Sequence, residues 1–165
     1  MELVANKSGS ITIGGTNSML LIDPGDKGER GDVVLFMDPA SSLADGDFGE
    51  SIVIVGAGEY EVGEFVIHGE MEENGVLYTV ECNNEKILLI NATDIESLSS
   101  DTRYGTMLVR LDGSFDEGTS STLPAELVVL YGPGEGVEEP KVEKMDKIGK
   151  RKKSELSGKT IFLSK

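Results

Sequence analysis

The 165-residue chain holds one histidine, His68, and one cysteine, Cys82, against 30 Asp and Glu. Chemistry that needs converging imidazoles or paired thiolates is therefore beyond it, because a structural zinc site takes four such ligands and a catalytic one about three. Carboxylates are numerous enough for calcium or magnesium, but their spacing is wrong. Asp45-Gly46-Asp47 lacks the alternation and the terminal Glu of a calcium loop. His68 closes a short apolar run just before Gly69, where a half-exposed structural imidazole is expected. Cys82 follows the apolar run at 76–80 and fits a small buried hydrophobe. No Walker loop, Gly-x-Ser-x-Gly elbow or paired-cysteine motif occurs. In Gly56-Ala57-Gly58 the third glycine of a dinucleotide loop is replaced by Glu61, so a tight turn is the expected role. Residue type and spacing thus assign no catalytic residue, no cofactor and no metal ligand.

Charge narrows the partners. The net charge is −15, but nine of the 15 Lys and Arg lie in 141–165 beside only three acids, which leaves that tail at +6 and residues 1–140 at −21. An acidic body repels nucleic acid and anionic membrane, so neither is expected; a protein partner or homo-oligomer stays open. The first thirty residues contain no apolar stretch of signal-peptide or membrane-span length, which points to the cytoplasm.

These side chains must be placed by short elements. Apolar runs of three to five residues recur at 11–13, 19–22, 33–37, 52–55, 65–67, 76–80, 87–90, 107–111, 127–131 and 161–163. Their length, β-branched content and flanking turn residues predict strands. Gly14-Gly15 with Asn17, Asn83-Asn84 and Asp112-Gly113 look like hairpin turns, which predicts antiparallel neighbours. The runs at 52–55 and 127–130 alternate least and should be covered on both faces. Val142, Met145 and Ile148 fall at three-residue spacing between Pro140 and Gly149, predicting a helix docked on the domain. A shorter helix is expected over 95–100, and a surface loop over 113–123.

The order of these elements, with Leu21-Ile22-Asp23-Pro24 closing a first hairpin and Gly56-Ala57-Gly58-Glu59-Tyr60-Glu61-Val62 after a later strand, resembles small members of the metallo-β-lactamase superfamily related to sugar-lactone hydrolases. The resemblance implies a mostly β, two-sheet sandwich, a reduced αββα fold, as a single domain over 1–165 that includes the basic helix and strand of 140–165. It also implies a metal cleft whose His-x-His-x-Asp-His motif falls on Asp38, Ala40, Ser42 and Leu43. The further ligands fall on Asn91, on Asp94 and on Ser164 or Lys165. Only Asp94 keeps a ligand type. Asp38, Ser42, Asn91 and Asp94 are then remnants of a cleft, and the chain is expected to be a catalytically inactive pseudoenzyme serving as a structural or interaction module. The alternatives are a small-molecule binding domain, or a hydrolase without zinc that reuses Asp38, Asn91 and Asp94.

Overall fold

Alternation of apolar and polar residues writes the strands directly into the backbone. In the strand Phe65–Glu72, Phe65, Ile67 and Gly69 turn inward while Val66, His68 and Glu70 face solvent. The computed structural model describes residues 1–26, 28–98, 102–112, 122–132, 142–149 and 152–165. Its strands are β1 (Glu2–Ala5), β2 (Ile11–Gly14), β3 (Met19–Ile22), β4 (Val33–Phe36), β5 (Ile52–Val55), β6 (Gly58–Val62), β7 (Phe65–Glu72), β8 (Gly75–Cys82), β9 (Glu85–Asn91), β10 (Tyr104–Arg110), β11 (Ala125–Tyr131), β12 (Glu143–Met145), β13 (Lys147–Ile148) and β14 (Lys159–Leu163). They form one sheet in the order β13-β1-β2-β3-β4-β5 and another in the order β12-β14-β11-β10-β9-β8-β7-β6. The protein is mostly β with almost no helix: the described residues contain only 3₁₀ turns, at Ala92–Ser97 and Ser154–Leu156. No helix among them is long and apolar enough to cross a membrane.

Three apolar clusters hold the layers. The largest joins both sheets, with Ile13, Leu20 and Leu35 from one and Ile67, Leu89 and Val129 from the other. Successive residues of β9, β10 and β11 alternate between this cluster and a second one on the far face, where Leu88, Val109 and Leu130 meet Ile95 of the first 3₁₀ turn. On the far face of the first sheet, Leu21, Val34 and Phe36 pack under Phe48. The irregular segment 38–51 thus does the covering that a helix would otherwise do.

Several expectations need correction. The Gly14-Gly15 and Asn83-Asn84 turns do join antiparallel pairs, β2–β3 and β8–β9, with Asn83 and Asn84 at φ 54° and 61°. However, β9, β10, β11 and β14 run parallel to one another, as do β3, β4 and β5. Asp112 therefore starts a crossover and not a hairpin, because parallel strands demand a long return; residues 113–121 lie outside the described residues. The run at 127–130 is buried on both faces as expected. β5 is not: it is an edge strand with Ile52 49% and Val55 38% exposed. Gly56 takes φ 96° as the turn required, but β6 resumes as a strand at Gly58.

The helix expected after Pro140 is replaced by two short strands. β12 pairs with β14 and β13 with β1, so the backbone of this segment finds its hydrogen bonds in the sheets. Met145 and Ile148 still reach the inter-sheet core and Val142 the second cluster, which is what the three-residue spacing recorded. Pro140 itself lies outside the described residues, as do the last two residues of the helix expected over 95–100. The basic tail is stitched to its own domain through Lys147–Glu2 at 2.9 Å and Lys153–Glu85 at 2.7 Å.

Between the sheets, Glu64 clamps the β2–β3 hairpin. Its Oε2 accepts from Thr16 N at 2.6 Å and its Oε1 from Asn17 N at 2.5 Å. The Thr16 amide, followed by Asn17, Cys82 and Asn83, holds the carboxyl below its ordinary range despite some burial. Two expectations follow from this framework. Leu89→Ala, in the fully buried centre of β9, should cost about 2–5 kcal/mol in urea unfolding, whereas Ile52→Ala on the exposed edge should stay within about 0.5 kcal/mol of wild type. Because Glu64 is held below its unfolded pKa, its contribution is complete above that value and disappears as pH falls through the folded one. Glu64→Gln should accordingly unfold more easily at neutral pH, and the difference should close in acid.

Candidate functional site

The parallel strands β9, β10 and β11 end side by side on Asn91, Arg110 and Tyr131, which are register partners across the sheet. Leu89, Leu108 and Val129, two residues earlier, face the inter-sheet core, so these three end on the same side. From the first sheet, β3 runs into Asp23 at φ 48°, a left-handed position that Asp tolerates better than most residues. Its carboxylate is 5% exposed and fully engaged. Oδ1 accepts from Met37 N at 2.9 Å; Oδ2 accepts from the Tyr131 hydroxyl at 3.0 Å and lies 3.1 Å from Arg110 Nε.

Burial pushes the Asp23 carboxyl above the ordinary carboxylate range, opposed by the Arg110 charge and by hydrogen bonds from Met37 and Tyr131, while nearby Asp38 pushes it higher. Burial, and then the Asp23 charge, also raises the Tyr131 phenol far above its usual value. Tyr131 therefore stays a neutral donor to Asp23, and the cation beside that carboxyl is Arg110.

A second hydrogen-bonded chain adjoins the first. Asn91 Nδ2 donates to the Asn74 carbonyl at 3.1 Å, and Asn74 donates through Nδ2 at 2.7 Å and through its backbone N at 3.3 Å to Asp94 Oδ1. Gly75 makes this approach feasible, since a Cβ there would stand 2.4 Å from Asn91 Nδ2 and 2.6 Å from the Met37 carbonyl. Two buried atoms of the adjoining residues, Asn91 Oδ1 and Arg110 Nε, have no hydrogen-bond partner among the described residues. At Arg110 the 3.1 Å approach to Asp23 is a charge contact without hydrogen-bond alignment.

Of the residues expected in a cleft, the structure brings Asn91 and Asp94 together through Asn74. Asp38 follows Met37 beside them, half-buried, with Oδ1 accepting from Ala40 N at 2.8 Å. Ser42 is exposed on the segment that crosses the outer face of the first sheet, where neighbouring Leu43 packs into the third cluster. Ser164 Oγ is buried without a partner just beyond β14, and Lys165 is exposed. His68 lies in mid-β7, half-exposed, with Nε2 2.9 Å from Glu70 and Nδ1 3.7 Å from Glu59. Cys82 is buried, and that burial, with Glu64 beside it, raises its thiol. Reasoning from sequence passed over Asn74, Arg110 and Tyr131 and gave Asp23 no role. The legible signal was Arg110, a lone charge inside the apolar run at 107–111.

The donor set does not fit the zinc site of a metallohydrolase. Among the described residues no group of three or more His, Cys, Asp or Glu is placed to hold an ion. Asn91 is a neutral amide with its nitrogen committed, Asp94 already accepts from Asn74, and the resident cation is a guanidinium. If Arg110 is the counterion of Asp23, then Arg110→Met strands a buried carboxylate and should cost about 3–5 kcal/mol at neutral pH. Asp23→Asn added to it should recover part of that. A carboxyl whose folded pKa is raised loses stability as pH rises through that pKa. The Arg110→Met deficit should therefore grow from acid to neutral pH in thermal or urea unfolding.

No family model matches the sequence, and no curated protein matches it. Solved structures do. A protein of Thermotoga maritima, assigned as a Zn-dependent hydrolase of the metallo-β-lactamase superfamily, superposes with a TM-score of 0.70 at 14% identity over 100% of both chains. A protein of Parabacteroides distasonis assigned as a metal-dependent hydrolase gives 0.55 at 11% identity, over 98% of this chain and 91% of that one. CmlA, a diiron β-hydroxylase from Streptomyces venezuelae, gives 0.53 at 11% identity and spans 99% of this chain but 53% of its own. At such identities the likeness is one of architecture, and the architecture this chain shares is that of the metallo-β-lactamase fold.

Proposed function

We propose that this protein is a non-hydrolytic member of that fold, related in pattern to the sugar-lactone-hydrolase-like subgroup, and that it works as an interaction module. On this reading the two sheets are the sandwich of an αββα domain, with irregular segments standing where outer helices would. The observation that carries it is the use made of the ligand positions. Asn91 and Asp94 are spent on Asn74, Asp38 on Ala40, and the one cation of the edge is Arg110, bound to Asp23. A metal-activated hydroxide needs about three converging protein ligands, and these residues supply hydrogen bonds that hold strands and loops together.

A hydrolase that reuses the edge without zinc is less well supported. Such chemistry needs a base or nucleophile that substrate can reach, whereas Asp23 is 5% exposed, accepts from two donors and lies against the Arg110 charge. Binding of a small polar molecule has one specific observation in its favour: Asn91 Oδ1 is a buried acceptor without a partner, next in register to Arg110, whose side chain is 21% exposed.

Elemental analysis of the dialysed protein should find no stoichiometric zinc, iron or manganese. A panel of lactone, phosphodiester and thioester substrates should show no turnover that depends on Asp94. About one metal per chain surviving dialysis, or hydrolysis abolished by both a chelator and Asp94→Ala, would sink the proposal.

A further inference from the structure

At the end opposite Asn91, Arg110 and Tyr131, the parallel strands β9, β10 and β11 start side by side, with Thr106 in register between Ile87 and Leu127. Ile87, Leu108 and Leu127 face the inter-sheet core, so Thr106 belongs to that face as well. The 3₁₀ turn Ser154–Leu156 is anchored over this end by Leu156, which is buried in the same cluster. Here lies a recess of about 330 Å³ whose lining includes Glu85, Lys86, Thr106, Glu126, Lys153 and Ser157. That volume is at the lower end of the range for small-molecule sites.

Thr106 carries a polar group that packing leaves unused. It is 6% exposed, yet its hydroxyl makes no hydrogen bond among the described residues. The fully enclosed side-chain atoms without a partner belong to Asn91, Arg110 and Ser164; the Thr106 hydroxyl is not one of them, and so opens on the recess that it lines. Buried hydroxyls are nearly always satisfied, and valine would fill a strand position of this shape without the polar atom.

The charges around this hydroxyl cancel. Lys153 Nζ donates to Glu85 Oε2 at 2.7 Å, the Met1 amino group lies 2.7 Å from Glu85 Oε1, and Lys86 Nζ lies 2.9 Å from Glu81. Glu126 forms no ion pair among the described residues, so the carboxylates of Glu81, Glu85 and Glu126 stand against three cations. An anion entering the recess would meet Glu85 and Glu126, and a cation would meet Lys86 and Lys153, so neither gains a net field. A neutral ligand escapes both penalties if its groups can donate to carboxylates and accept from ammonium groups. Alcohol hydroxyls do both.

We propose that this recess binds a small neutral polyhydroxy compound of monosaccharide size. One ligand hydroxyl supplies the partner that Thr106 lacks, while others donate to Glu126 and accept from Lys153, whose ammonium has protons left beyond the one given to Glu85. The proposal does not rest on the loss of hydrolysis. Thr106 and Arg110 stand four residues apart on β10, about 13 Å along the strand, so the recess and the edge at Asp23 are separate places.

The test titrates D-glucose, D-galactose, D-ribose, sorbitol and myo-inositol into the isotopically labelled full chain, with glucose 6-phosphate, glucosamine and glycine as charged counterparts. At least one neutral compound should give saturable amide shifts centred on 84–86, 105–106, 126–127 and 153–157, and these should persist at high salt because no net charge is exchanged. Thr106→Val keeps the side-chain shape and removes an unengaged hydroxyl. It should therefore hold the wild-type melting temperature while weakening binding about fivefold or more, the loss of one hydrogen bond, and Thr106→Ser should restore the affinity. No saturable shift from any neutral compound up to about 50 mM, tighter binding of a charged counterpart, shifts at the Asn91–Arg110 edge instead, or unchanged binding by Thr106→Val would each overturn the proposal. A large drop in the melting temperature of Thr106→Val would overturn it as well, by showing that the hydroxyl is engaged within the fold.

Discussion

One buried carboxylate links the two sheets at one end of their parallel strands. Asp23 closes β3, fixes the exit of β4 through Met37, and crosses the core to meet Arg110 and Tyr131 at the ends of β10 and β11. A charge this deeply placed is tolerated only when its partners are all in position, because removing ions from water costs several kcal/mol each. The geometry thereby fixes the relative placement of the sheets at this edge more than it stabilises them. Asn91 and Gly75 extend the same constraint, since the backbone passes Asn91 at a distance that only glycine permits. At the turn linking β5 to β6, Tyr78 plays a similar part: its hydroxyl meets the carbonyls of Phe36 and Gly56, and burial pushes its pKa up to about 12.

The strands were legible because a two-residue period with β-branched side chains admits little else. Their direction was not, since turn residues are read locally and a strand leaving for a crossover ends on the same residue types as one entering a hairpin. Asp112 shows this, and Asn83-Asn84, where positive φ truly closes a two-residue turn, shows the opposite case. β5 misled for a related reason. An apolar run signals burial on both faces only if neighbours exist on both sides, and sheet order is set by contacts far apart in sequence. The three-residue stripe of Val142, Met145 and Ile148 was real as a burial pattern, but the open edges at β1 and β14 satisfy the backbone of this segment without a helix.

The edge site was half visible for a physical reason too. Ligand positions can be located by counting along a pattern, and that count brings Asn91 and Asp94 into one hydrogen-bonded chain through Asn74. The residues that join them across the sheet cannot be counted in that way. Arg110 and Tyr131 come from strands 19 to 40 residues beyond Asn91, and only the parallel register sets them beside it. A guanidinium among carboxylates supplies the positive charge that Asp23 would otherwise lack. Histidines placed at Asp38 and Asn91 would therefore meet an edge whose buried acid already has Arg110 beside it.

The charge distribution shows how the remaining surface is divided. Part of the tail's positive charge is paired on the β1 side of the molecule: Lys147 pairs with Glu2, Lys153 with Glu85, and Glu85 also binds the Met1 amino group at 2.7 Å. These pairs compensate acids near β1, β9 and β13. The opposite flank carries Asp32 and Glu50 beside Arg30, and Glu59 and Glu61 beside His68, whose Nδ1 lies 3.7 Å from Glu59. At its β13 edge the first sheet thus pairs Lys147 with Glu2, whereas its β5 edge sets two acids, Asp32 and Glu50, beside one cation, Arg30. An excess of carboxylates at this flank opposes the close approach of a second copy, because like charges set opposite each other disfavour pairing.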